Sequence, residues 1–430
     1  MVKASLPQRI FSALATLQRH FRKYGLRFGL WRLYTLLTHP DLKGSLFRAV
    51  TPAKPQTAFQ RFEPQDWQGS VVVFDHSVGG GANHYCAELV QGLVQRTTVL
   101  VATFDNTTLR YVLRGESTFG TSNHTFDSVE ELLCALDASR PSRLLHNSLY
   151  AWEHAFAVAD WMVRKKAEHV PLDIFLHDFF FLCPTVVMLN QAFRFCGVVT
   201  DAAACDRCLE KNFFRAPYTA NNITQWRSVW GRVLHSANSI TVPHQSMLAL
   251  LRKIYPGIEA RGQVKPHTAQ SAAAYALPQT ATTVIAIVGS IGLHKGSLLV
   301  YELADILHKT QGLVARIVVI GTLTPYRPHP NILVTGSYRS GDLPQLLAAH
   351  QVTVGLFPSI CPETFSYVCH ELMALKLPLV AFPLGAQGDC VGQYAHGTLA
   401  GGVDARSALT AIEALERRRL GGAMPWSNSF

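Results

Sequence analysis

No run of 18 apolar residues occurs in this 430-residue chain, so it offers no membrane-spanning helix. The early apolar stretch is broken by Gln18, Arg19 and His20, which excludes a secretory signal peptide and leads us to expect a cytoplasmic chain. On that expectation sequons such as Asn106-Thr107-Thr108 carry no meaning. Zinc-finger spacing with histidines, RNP aromatics and a helix-turn-helix pattern are all missing, so no nucleic-acid partner is expected. Acidic residues are almost missing from the first fifty positions, where Asp41 stands alone.

What is there is a globular composition, with 48% hydrophobic and 16% charged residues, long enough for two domains. The net charge of +10 and pI near 9.2 call for an anionic partner. Much of that charge lies near the start, in Lys3, Arg9, Arg19, Arg22, Lys23, Arg27, Arg32, Lys43 and Arg48. Leu6, Ile10, Phe11, Leu14, Leu17 and Phe21 recur among them at helical spacing. A basic amphipathic helix of this kind suits an anionic membrane surface, which would make the chain peripheral on the inner face. A surface helix packed on its own domain is the competing reading. Residues 51–69 are rich in Pro and Gln and read as a linker.

Beyond the linker, short buried strands alternate with helical segments, a pattern that implies parallel sheets. The first half offers strands at Ser70–Asp75, Thr97–Thr103, Arg143–Asn147, Asp173–His177 and Ser239–Val242, with a helix from Ala82 to about Gln95. The second half offers strands at Thr283–Val288, Arg316–Ile320, Asn331–Thr335, Val352–Phe357 and Leu377–Phe382, with a helix from about Gly296 to Lys309. The expected division is an extension and linker over 1–67, one α/β domain over 68–270 and a second over 271–430, joined near the low-complexity Thr268–Ala274.

The chemistry concentrates behind the strand that ends at Phe357. Pro362-Glu363-Thr364-Phe365-Ser366 follows it, and Glu371 comes eight residues after Glu363, an offset that lets both carboxylates share a face if the segment is helical, the first in the loop or first turn and the second deeper along the helix. Open α/β sheets bind ligands where a strand gives way to a loop and helix, and a carboxylate accepts from sugar hydroxyls. Earlier, Val288-Gly289-Ser290-Ile291-Gly292-Leu293-His294-Lys295-Gly296 places a lysine where a strand meets a helix. Helix N-termini attract anions, and lysine adds a point charge. Gly79-Gly80-Gly81 sits at a second strand-to-helix junction, without completing a G-x-G-x-x-G fingerprint.

Together, the paired glutamates, the lysine-glycine loop and the strand Ala381-Phe382-Pro383-Leu384-Gly385-Ala386 resemble the E-x7-E glycosyltransferases, retaining enzymes of group 4 type that include bacterial lipopolysaccharide and O-antigen enzymes. The resemblance spans roughly residues 70–410 and is strongest over 284–390. It implies two Rossmann-like domains facing a cleft (the GT-B architecture) and transfer of a hexose or deoxyhexose from a nucleoside diphosphate sugar to a growing, lipid-linked glycan. It assigns Lys295 to the diphosphate, with Gly289 and Ser290 beside it, and Glu371 to the ribose. Glu363 falls to the donor sugar, with the N–H groups of Thr364, Phe365 and Ser366 near sugar or phosphate. Gly79, Gly80 and Gly81 fall to the cleft, His177 to the sugar, His146 and Asn147 to a similar strand-end position, and His267 to a hinge. Much of the family carries arginine where this chain has Ser290. No catalytic cofactor or divalent ion is implied. A non-catalytic nucleotide-sugar-binding scaffold and a nucleotide-sugar epimerase remain as alternatives.

Cys183, Cys196, Cys205 and Cys208 fall in one segment and end in a C-x2-C pair, which suggests a structural zinc in the loop 183–208, against free thiols. Cys86, Cys134, Cys361, Cys369 and Cys390 read as ordinary thiols.

Overall fold

The computed structural model describes residues 67–215, 222–267, 275–311 and 315–421. The basic amphipathic extension and the expected domain join at Thr268–Ala274 lie outside the described residues. Among those described, no helix is long and apolar enough to cross a membrane.

The elements run β1 (Val71–Phe74), α1 (Gly81–Val94), β2 (Val99–Asp105), β3 (Arg110–Ser117), β4 (Gly120–Phe126), α2 (Val129–Ala138), β5 (Arg143–His146), α3 (Ala155–Ala167), β6 (Leu172–Phe175), α4 (Ala202–Glu210), α5 (Ile223–Ser236), β7 (Ser239–Val242), α6 (Gln245–Arg252) and β8 (Gly262–Val264). They continue with β9 (Thr283–Ile291), α7 (Ser297–Gln311), β10 (Ala315–Leu323), β11 (Ile332–Val334), α8 (Leu343–Ala349), β12 (Val354–Phe357), α9 (Tyr367–Ala374), β13 (Leu379–Ala381), α10 (Gly385–Gln393), β14 (Gly397–Leu399) and α11 (Ala405–Arg419). Two compact units result. The first reaches to Val186 and takes up Arg215–Thr241 and Gly257–Gln263; the second gathers Val187–Phe214, Val242–Pro256 and the chain from Val264 onward.

The first sheet is ordered β4-β3-β2-β1-β5-β6-β7-β8. Its β1, β2, β5, β6 and β7 pair in parallel, as the buried β-branched runs imply. Its edge departs from the expected all-parallel set: β3 and β4 form an antiparallel hairpin on β2. The alternation of Arg110–Ser117 and the polar Gly-Thr-Ser-Asn-His-Thr of β4 suit an exposed edge, where one face meets water.

The second sheet is ordered β11-β10-β9-β12-β13-β14 with parallel pairing throughout. Within β9, Ile285 and Ile287 face one core, with Leu303 and Leu307 of α7 and Ile412 of α11. Val284, Ala286 and Val288 face the other, with Leu347 of α8 and Leu372 of α9. A strand buried on both faces reads as a continuous apolar run, and this sheet accordingly carries helices on both sides. Both sheets reverse strand order beside their first strand, at β1/β5 and at β9/β12. Crevices at such switch points are where open α/β sheets bind ligands.

Candidate active site

At the β9/β12 switch point two loops meet. The chain leaves β9 through Gly292, makes a 3-10 turn over Leu293–Lys295, and enters α7 through Gly296 at φ 77°. A Cβ on Gly296 would lie 2.0 Å from the Pro358 carbonyl oxygen, so only glycine lets the loop behind β9 seat against the loop behind β12. The His294 carbonyl accepts the Ile360 N–H at 3.3 Å. That seating brings Lys295 Nζ to 3.6 Å from Glu363 Oε1. Burial and then the Lys295 charge push His294 down to about 4, with Glu363 opposing, so its ring is neutral beside the lysine. Ser290 shares a hydrogen bond with Thr322 at 3.1 Å.

Glu363 stands in the loop rather than on the helix, because α9 begins only at Tyr367. The two carboxylates therefore do not share a helical face: one is held by a loop and the other by the second turn of α9. The loop is fixed from beneath. Gln387 of α10, wholly buried, accepts the Glu363 N–H at 2.8 Å and donates to the Cys361 carbonyl at 2.9 Å. Ala386 N–H donates to the Glu363 carbonyl at 2.9 Å. Thr364 and Ser366 are buried, and the Ser366 hydroxyl caps α9 by accepting the Cys369 N–H. Phe365 stacks on His370 with ring centroids 4.6 Å apart and meets the edge of His267 at 4.8 Å. Glu371 accepts from the Ser340 hydroxyl at 2.8 Å. Burial and the Glu371 charge push the Tyr338 hydroxyl up to about 12.

The β1/β5 switch point of the first unit carries a second cluster. Gly79 and Gly80 have φ of 90° and 97°, and Gly81 opens α1. Nothing lies within 4 Å of a Cβ at Gly79 or Gly80, so their need for glycine is conformational, not steric. His177 Nε2 lies 2.8 Å from Asn147 Oδ1, and Asn147 donates to Asp75 Oδ1 at 2.8 Å. His146 is turned the other way. It is buried against the Phe181 ring at 4.9 Å, and burial pushes it down to about 4. At the end of β5 it is thus Asn147, not His146, that joins the cluster. Burial also pushes the Asp178 carboxyl up, against the opposing pull of the Phe180 N–H and His76.

The four cysteines of 183–208 are not gathered into a metal site: among the described residues no group of three or more His, Cys, Asp or Glu could hold an ion. Cys183 hydrogen-bonds Thr185, Cys205 donates to the Val199 carbonyl, and Cys208 accepts from Asn212. Asp75, Gln387 and Ser340 were not expected from the sequence. An acid closing a buried strand before three glycines was a readable signal for Asp75. Gln387 and Ser340 had none, because their roles depend on contacts across 24 and 31 residues.

Residues 282–417, all in the second unit, match the family of group 1 glycosyl transferases. Over that segment the second unit is similar to a group 1 glycosyltransferase domain. The chain is accordingly a glycosyltransferase, and the Lys295–Glu363 pair lies within the matched segment. Two solved structures of Anabaena Alr3699/HepE are similar to this chain over most of its length. One, in complex with UDP and glucose, has a TM-score of 0.53; the other, in complex with UDP-glucose, has 0.51. Each is 15% identical and covers 83% of this chain and 92% of its own. At that identity the likeness is one of fold, and it is the fold of two Rossmann-like domains, the GT-B architecture. No curated protein matches the chain.

Proposed function

We propose that this glycosyltransferase moves a hexose or deoxyhexose from a nucleoside diphosphate sugar to a growing, lipid-linked glycan with retention of configuration. The observation that carries the reading is the meeting of Lys295 and Glu363, 3.6 Å apart, at the switch point of a unit similar to a group 1 domain. In the transfer, the bond from the anomeric carbon to the diphosphate oxygen breaks and a bond to the acceptor hydroxyl oxygen forms. The hydroxyl proton passes to the leaving phosphate. Negative charge grows on the diphosphate, where Lys295 and the N-terminus of α7 stabilise it electrostatically. Glu363 accepts from donor sugar hydroxyls, and Glu371, oriented by Ser340, accepts from the ribose. The UDP of the similar Anabaena structures makes a uridine nucleotide the first to test. The basic first fifty residues would hold the enzyme on an anionic membrane surface.

The test is a thermal-shift screen against UDP, GDP, dTDP and CMP with their sugars. A shift with one nucleotide, lost in Lys295→Ala and Glu371→Ala, is the expected result. No shift with any of them would overturn the reading. Transfer abolished in a folded Glu363→Ala variant separates an enzyme from a binding scaffold.

A further inference from the structure

Asp75 closes β1 and is buried, at 4% exposure, yet both of its carboxylate oxygens are engaged by asparagine amides. Oδ2 accepts from Asn83 Nδ2 at 2.6 Å and Oδ1 from Asn147 Nδ2 at 2.8 Å. Asn83 also donates to the His76 carbonyl at 2.7 Å and accepts the Gly79 N–H at 2.6 Å, so one oxygen of Asp75 fixes the glycine loop. The other oxygen fixes Asn147. The amide of Asn147 has only one orientation that satisfies its surroundings, because Nδ2 faces two pure acceptors, Asp75 Oδ1 and the Ala82 carbonyl at 3.0 Å. Its oxygen must therefore face His177, where it lies 2.8 Å from Nε2. An amide oxygen only accepts, so Nε2 must carry a hydrogen.

We infer that Asp75, acting through Asn147, is a positioning residue that holds His177 as the tautomer protonated on Nε2 while pinning the glycine loop through Asn83. This rests on the proposed transfer and on the assignment of His177 to the donor sugar that the family resemblance implies, and it deepens that assignment. The Nε2 proton is committed to Asn147 and is not offered to a ligand. His177 then cannot act as an acid or base through Nε2, and one buried carboxylate sets the geometry of both predicted ligand elements of the first unit.

The tautomer can be read without turnover, by nitrogen NMR of the full chain with its histidines 15N-labelled, at about pH 8.5, well above the ordinary histidine pKa of about 6.5. The signal that vanishes in His177→Gln belongs to His177. The expected wild-type result is a protonated Nε2. In Asp75→Asn an amide nitrogen faces one of the two asparagine donors, Asn147 is released to turn, and the signal should move toward the Nδ1-protonated form. Asn147→Ser, which removes the bridge and leaves Asp75 intact, should do the same if Asp75→Asn does not fold. Asn83→Ala should loosen the glycine loop and leave the tautomer unchanged. A wild-type ring protonated on Nδ1, an unchanged tautomer in both bridge variants, or an equal shift in Asn83→Ala would overturn the inference. Absence of any nucleotide-dependent melting shift would sink the donor reading instead and leave the tautomer result standing.

Discussion

Gln387 accepts the main-chain N–H of Glu363 at 2.8 Å and returns a hydrogen bond to the Cys361 carbonyl at 2.9 Å, so one buried amide spans the loop that presents the carboxylate. Replacing it with Met keeps the volume and leaves a donor and an acceptor without partners in a buried place. Each unsatisfied group costs about 1–3 kcal/mol. Gln387→Met should lower the melting temperature by several degrees and cut kcat at least about tenfold through misplaced Glu363. Nucleotide affinity should change little, because Glu371 and Lys295 are held by other elements. Equal losses in kcat and nucleotide binding would count against a local clamp.

Lys295 should matter to the diphosphate alone. Lys295→Met should weaken a nucleoside diphosphate by about 10- to 100-fold, the worth of about 1.5–3 kcal/mol of charge-assisted contact, and leave the bare nucleoside unaffected. Calorimetric titration of the two ligands against both proteins separates the contributions. A matching loss for the nucleoside would show that the lysine supports the fold of the loop rather than the phosphate.

Much of this was legible in the sequence. The buried β-branched runs marked the strands, and the glycines at 79–81 and 296 marked the junctions where strand gives way to helix. The lysine and the two glutamates fell where the switch point of the second sheet places them. The hairpin β3–β4 was missed because its alternation is mixed with charge and threonine, which reads as loop when no partner strand is in view. The choice between His146 and Asn147 was missed because neighbouring residues of a strand point to opposite faces, and only the sheet says which face carries the site. Of the two places the sequence left open for Glu363, the loop or the first turn, the structure takes the loop, because Ser366 caps α9 and sets its start after Glu363.

Glu371 gives a test of ribose recognition. A site that accepts from a ribose hydroxyl should discriminate against the 2′-deoxy nucleotide by at least about tenfold, near the 1.5 kcal/mol of one hydrogen bond to a charged group. Glu371→Ala should erase that preference. Ser340→Ala, which removes the hydroxyl donating to Oε1 at 2.8 Å, should reduce it only in part. Displacement binding of the ribo and deoxy forms to the three proteins checks both. A preference that survives Glu371→Ala would move ribose recognition elsewhere.

Acid should weaken the fold through His146. Its ring is held near a pKa of about 4 by burial, against an ordinary value of 6.5. Between those values the unfolded chain binds a proton there and the folded chain does not, so stability falls as pH drops from about 6.5 toward 4. The loss from one such group approaches about 1.4 kcal/mol per pH unit inside that window. Asp178, whose carboxyl is raised by burial, acts in the opposite direction. The contribution of His146 is therefore isolated by difference: His146→Leu should show a shallower fall of denaturant stability over pH 6.5 to 4 than the parent. Parallel pH curves would contradict a neutral buried ring.

Two glycines that look alike in the sequence should respond differently to alanine. At Gly296 a Cβ would stand 2.0 Å from the Pro358 carbonyl oxygen, and φ is 77° besides. Gly296→Ala must push the loop behind β9 off the loop behind β12. It should cost at least about 3 kcal/mol, strain and clash together, and carry Lys295 away from Glu363. At Gly79, with φ 90° and nothing within 4 Å of a Cβ, alanine meets only the conformational penalty, about 1–2 kcal/mol. Thermal denaturation of the two variants, followed by nucleoside diphosphate binding, should show a large melting shift with lost affinity for the first and a small shift with retained affinity for the second. The reverse order would mean that the close approach at the β9/β12 switch point is not what seats the lysine.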